Sequence, residues 1–128
     1  MKQGSKKDRD MATQAFREWG LAGCPDRKTV RERGLGEDMD ACAAVFELLA
    51  EQAFLTERGV GRRNSNAAEI MGAVRFVCMR ERGAGRDEAT MLVRRLAFER
   101  FVSERTVYGW LASARCLWLA MRSGKNYE

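Results

Sequence analysis

The chain contains no histidine, a single proline (Pro25), and no two cysteines close enough together to form a metal-binding pair. Each absence narrows the chemistry. Without histidine the usual general base is gone, and Ser-His and Cys-His nucleophilic catalysis go with it. Cys24, Cys42, Cys78 and Cys116 lie 18, 36 and 38 residues apart. Structural zinc sites draw on closely spaced ligand pairs, so this spacing argues for free, mostly buried thiols in a reducing compartment. No apolar run approaches the roughly 20 residues that span a bilayer. The basic start MKQGSKKDRD is followed by no apolar segment of the kind a signal peptide carries. A cytoplasmic protein without a membrane partner is expected. No stretch alternates strictly between apolar and polar residues, so no strand is expected.

What is present is a moderately basic chain of 128 residues, long enough for one domain with a core and short for two. Its net charge of +5 is unevenly spread. Residues 1–36 hold nine Lys/Arg against five Asp/Glu, residues 37–65 three against six, and residues 86–128 eight against five. Basic ends around an acidic middle suit a nucleic-acid partner.

Glycines recur at Gly20/Gly23, Gly34/Gly36, Gly59/Gly61 and Gly83/Gly85, each pair after a helix-like segment. The pattern predicts an all-α fold, a compact bundle of about five helices with a C-terminal helix-turn-helix. The first helix is expected over residues 10–19, where Met11, Ala15 and Trp19 share a face, and a short one is expected after Pro25. The third is expected over residues 37–57. There Met39, Cys42, Phe46, Leu49 and Ala53 form a stripe, and Glu37, Asp38 and Asp40 suit the positive end of the helix dipole. The loop ERGVGRRNSN follows, with Arg62 and Arg63 read as exposed. Asn66, with Glu69 as capping-box partner, is expected to open a fourth helix running to about residue 82. The last two helices are expected over residues 87–99, capped by Asp87, and 104–122, capped by Ser103. Residues 1–9 read as a disordered basic tail, residues 10–122 as a single helical domain, and residues 123–128 as a frayed end.

The segment LAFERFVSERTVYGWLASAR carries the functional signal. A helix-turn-helix needs a small residue where its two helices cross, and Ala97 meets this. It needs a sharp bend about four residues on, usually glycine, and this position is Phe101. A bend of different construction is therefore expected. Val102 supplies the apolar residue after the bend, and Val107, Trp110, Leu111 and Ala114 the inner face of the second helix. The outward positions are Arg105, Gly109, Ala112 and Cys116, flanked by Tyr108 and Leu119. Base readout uses side chains with hydrogen-bonding groups, and this face offers Arg105 and the Tyr108 hydroxyl with little else. Trp110 and Trp118 fall on the buried stripe, a core placement rather than a base-stacking platform.

This run resembles the C-terminal half of phage late-transcription regulators of the ArpU-like and RinA-like group, which carry a sigma-factor-like helix-turn-helix. The matching residues are Arg94, Arg95, Leu96, Ala97, Glu104, Arg105, Thr106, Val107, Tyr108, Leu111, Ala114 and Arg115, within a resemblance covering about residues 66–122. It implies a phage DNA-binding regulator acting on late or packaging genes through host RNA polymerase. The chain departs from the group after Tyr108, where Gly109, Trp110, Ala112 and Ser113 stand in place of basic residues.

The expected function is duplex-DNA binding, with Arg105 and Tyr108 at base edges and Arg94, Arg95, Arg100 and Arg115 at phosphates. Such readers commonly pair as homodimers, but the sequence identifies no dimer face. The rival expectation is a phage-encoded inhibitor of anti-CRISPR or anti-polymerase type that docks on a host protein complex through Gly109, Ala112, Cys116 and Leu119. A small terminase subunit binding packaging DNA is a third. No metal, cofactor or catalytic constellation is expected, and an enzyme is the least favoured reading. GVGRR and RGAGR follow no strand and precede no Gly-Lys-Ser/Thr, so neither is a phosphate-cradling loop.

Overall fold

The computed structural model of the chain describes residues 4–59, 66–79 and 86–124. These are helical with no strand. The elements are α1 (Lys6–Leu21), α2 (Arg27–Arg33), α3 (Glu37–Glu57), α4 (Ala67–Ala73) with a π-helical turn (Val74–Cys78) running on from it, α5 (Arg86–Arg100) and α6 (Glu104–Arg122). Among the described residues there are thus six α-helices, against the expected bundle of about five.

Helix α3 begins and ends where its sequence pattern places it. Six consecutive residues, Ala41 to Phe46, are buried. A helix buried around its whole circumference sits at the centre of a bundle. α1, α2, α4 and α6 pack around it, and Ala41, Ala43 and Ala44 let them approach closely. Phe46 meets Trp19 with ring centroids 4.7 Å apart and Phe16 at 6.1 Å, which joins α1 to α3. Burying an indole leaves its N–H in need of an acceptor. Trp19 Nε1 donates to the carbonyl of Pro25 at 2.8 Å, and Trp118 Nε1 to the carbonyl of Asp38 at 3.1 Å. The acidic first turn of α3 meets cations from both sides. Arg27 and Arg31 of α2 reach Asp40 at 3.3 and 3.5 Å. Arg122, in the last turn of α6, bridges Glu37 at 2.9 Å and Asp38. Carboxylates at a helix N-terminus and an arginine at a helix C-terminus also complement the two dipoles.

Several expected boundaries move. α1 starts at Lys6, so residues 6–9 of the expected tail are helical. Ser5 and Asp8 form a reciprocal capping box, in which each side chain accepts from the other's backbone N–H and nucleates the helix inside the basic run. Asp26 caps α2, accepting from the amide of Thr29 at 2.8 Å, and Pro25 lies one residue outside. The expected Asn66–Glu69 capping box does not form. Asn66 precedes α4, but its ψ of 22° departs from the extended conformation that aims a capping side chain at the helix, and its side chain makes no cap bond. α5 starts at Arg86, which puts Asp87 inside the helix rather than at its cap. Arg62, Arg63 and the RGAG glycines lie outside the described residues.

Close packing of α1 on the π-helical turn depends on Gly20. A Cβ there would stand 2.9 Å from Cγ of Met79, closer than van der Waals contact allows.

Candidate nucleic-acid interface

The C-terminal helix pair begins with the way α5 ends. The amide of Val102 donates to the carbonyl of Ala97 at 3.0 Å, and the amide of Phe101 to that of Phe98 at 3.3 Å. This double closure requires a left-handed residue just past the helix, a position glycine usually fills. Phe101 fills it with φ of +56°. The sequence expectation of a differently built bend is therefore corrected. The bend has the left-handed turn, and a phenylalanine bears a strain of about 1 kcal/mol. Phe101 recovers little in return, because 94% of it is exposed.

Ser103 then caps α6, its Oγ accepting from the amide of Thr106 at 3.1 Å. Val107, Trp110, Leu111, Ala114 and Trp118 are buried, as their spacing requires. Glu104, Arg105, Thr106, Tyr108 and Gly109 are exposed, so the first two turns of α6 stand free of the bundle. A Cβ built on Gly109 would meet nothing within 4 Å. Arg105 has no ion-pair partner among the described residues, and the Tyr108 ring is half exposed beside it.

The four expected phosphate ligands are placed unequally. Arg94 pairs with Glu104 across the bend at 3.5 Å, and Arg95 with Glu99 along α5 at 3.4 Å. Both keep about two thirds of their side-chain surface exposed. In water such pairs are worth at most about 1 kcal/mol, so they orient the guanidinium groups without locking them away. Arg100 turns towards α4, where one of its terminal nitrogens lies 3.6 Å from the position a Cβ would take on Gly72. Arg115 is half-buried, and its Nε donates to Oγ1 of Thr13 on α1 at 3.1 Å. Arg94 and Arg105 thus stand at the start of α6, Arg95 lies along α5 beside Glu99, Arg100 is exposed but turned towards α4, and Arg115 is turned towards α1.

The expected docking face is only partly open. Gly109 is exposed and Ala112 and Leu119 half-buried, but Cys116 is buried. α1 packs against α6 here, with Thr13 on Arg115 and Gly4 within reach of Leu119. Burial also raises the thiol pKa of Cys116. Burial pushes Cys42 up as well, and Cys78 from an ordinary 9.0 to about 11, partly opposed by Arg115 and Arg17. Cys24 alone among the four is exposed. Among the described residues no cluster of Cys, Asp and Glu has the arrangement of a metal site, and no helix is long and apolar enough to cross a membrane.

No known family model, curated protein or solved structure matches this chain.

Sequence reasoning missed one feature outright. Met91, Phe98 and Phe101 are 67%, 82% and 94% exposed. Apolar and bulky residues run around much of α5, so periodicity alone does not tell which side faces the core.

Proposed function

We propose that the chain is a phage-type, sequence-specific DNA-binding transcription regulator that reads duplex DNA through α5, the left-handed turn and α6. The observation that carries this reading is the free start of α6. Ser103 caps it, Arg105 stands exposed and unpaired one residue inside it, and Arg94 reaches it from α5 through Glu104. Helix-turn-helix proteins contact base edges with the first residues of their second helix and the DNA backbone with the helix before it. Arg105 suits a guanine edge, offering paired donors, and the Tyr108 hydroxyl a second polar contact. Gly109 leaves room for close approach to the groove. Arg94 and Arg95 are the phosphate ligands this reading retains.

The competing reading, a protein-binding inhibitor docked through Gly109, Ala112, Cys116 and Leu119, loses support from the burial of Cys116. The test is selection from a random duplex library at low and moderate salt, with Arg105→Ala alongside. A regulator of this kind enriches a motif and shows a salt slope of several phosphates, and Arg105→Ala relaxes the preference at one position. Absence of both enrichment and salt slope would overturn the reading.

A further inference from the structure

Helix α5 carries two apolar stripes on opposite sides. Leu92, Val93, Leu96 and Ala97 face the core. At 100° per residue, Met91 and Phe98 fall within about 20° of each other on the far side, and Phe101 continues that side past the helix end. All three are exposed within this chain. A soluble helix normally turns charge to the solvent, so an apolar outer stripe marks a surface that a partner covers. Phe101 adds to this, since a glycine would meet the backbone requirement of the turn without strain.

The charges along the stripe identify the partner. Arg95 and Glu99 lie on one rim, four residues apart and 3.4 Å from each other, and Arg94 lies on the other. Turning a second α5 antiparallel about a two-fold axis near Phe98 places Arg95 over Glu99 of the mate and Glu99 over Arg95 of the mate. The same rotation sets Phe98 against Phe98 and brings Arg94 over the ring of Phe101, a cation–π arrangement. A parallel arrangement would oppose like charges. Nucleic acid fits this stripe less well, because Met91, Phe98 and Phe101 offer it no hydrogen-bonding group.

We propose that two copies of this chain pair through the outer face of α5, antiparallel about Phe98, with Met91 and Phe101 at the margins. The contact is isologous, each side using the same patch. With the axis near the C-terminal end of α5 (Arg86–Arg100), the contact lies at the small end of specific interfaces and the dimer dissociates on dilution. The pairing forms without DNA, and because it takes up Arg94 and Arg95, phosphate contact through α5 requires the pair to separate.

The experiment is sedimentation velocity of the full chain without DNA, over about a hundred-fold concentration range centred on the micromolar. The wild-type protein shifts from monomer to dimer. Phe98→Ser stays monomeric throughout while its thermal melt is unchanged, because the side chain supports no core contact. Arg95→Glu and Glu99→Arg each stay monomeric alone, form a mixed dimer when combined, and the double variant R95E/E99R dimerises again. A wild-type chain that is monomeric over the whole range overturns the proposal. So does a dimer that survives Phe98→Ser, or failure of the two charge variants to pair. Monomer that binds an added oligonucleotide in a Phe98-dependent way would instead assign the stripe to nucleic acid and equally overturn it.

Discussion

Arg115 of α6 donates through Nε to Oγ1 of Thr13 on α1, at 3.1 Å across 102 residues of sequence. The contact ties the second half of α6 to the first helix, while the first two turns of α6 stand free. It also turns a guanidinium that the sequence offers to phosphate into the protein. Arg115→Ala is expected to lower unfolding free energy by about 1.5–3 kcal/mol, the cost of a lost hydrogen bond to a charged group, and to leave the salt dependence of DNA binding unchanged. A reduced salt slope at unchanged stability would return Arg115 to the phosphate contacts.

Phe101→Gly is expected to stabilise the monomer. The residue adopts φ of +56° and is almost wholly exposed, so glycine removes strain without sacrificing packing. The gain in urea unfolding is about 1 kcal/mol, reduced by the extra freedom glycine gives the unfolded chain. A loss of stability would mean that the ring makes a contact important to the fold.

Gly109→Ala is expected to act in the same direction for a different reason. Gly109 lies inside α6, and an added Cβ would meet nothing within 4 Å. Alanine exceeds glycine in helix stability by about 1 kcal/mol. Under the DNA reading the same change weakens binding, because the methyl group fills space left for close approach. Stability measured by thermal melting and affinity measured by anisotropy should therefore move in opposite senses.

The thiols divide by burial. With an aromatic disulfide reagent at pH 8, Cys24 is expected to react at once, while Cys42, Cys78 and Cys116 react only after denaturation. Burial raises the thiol pKa of all three in the folded chain. Their contribution to stability is complete below the ordinary value of 9.0 and falls as pH climbs through about 11 for Cys78. Rapid native labelling of two or more thiols would contradict this burial.

Helix α3 was legible from sequence in full, because its acidic start and apolar stripe agree with each other and with its burial. α6 was legible from Ser103 onward for a similar reason, cap and stripe pointing to the same register. The start of α1 was obscured because the Ser5–Asp8 capping box sits within a lysine-rich run that composition alone reads as a tail. The turning of Arg115 towards Thr13 was beyond sequence reasoning, since it depends on α1 packing from far away in the chain. Phe98 was ambiguous for a local reason. Met91, Leu92, Leu96 and Phe98 occupy both sides of α5, and only the tertiary structure tells which pair is core.

The most direct test of the account is Arg105 on duplex DNA. Binding of the wild-type chain and Arg105→Ala to the selected motif and to a version changed at a single guanine should be compared at two salt concentrations. The account predicts a loss of about 1–3 kcal/mol on the motif for Arg105→Ala, with the preference for that guanine abolished. Equal affinity of the two proteins for both duplexes would contradict it.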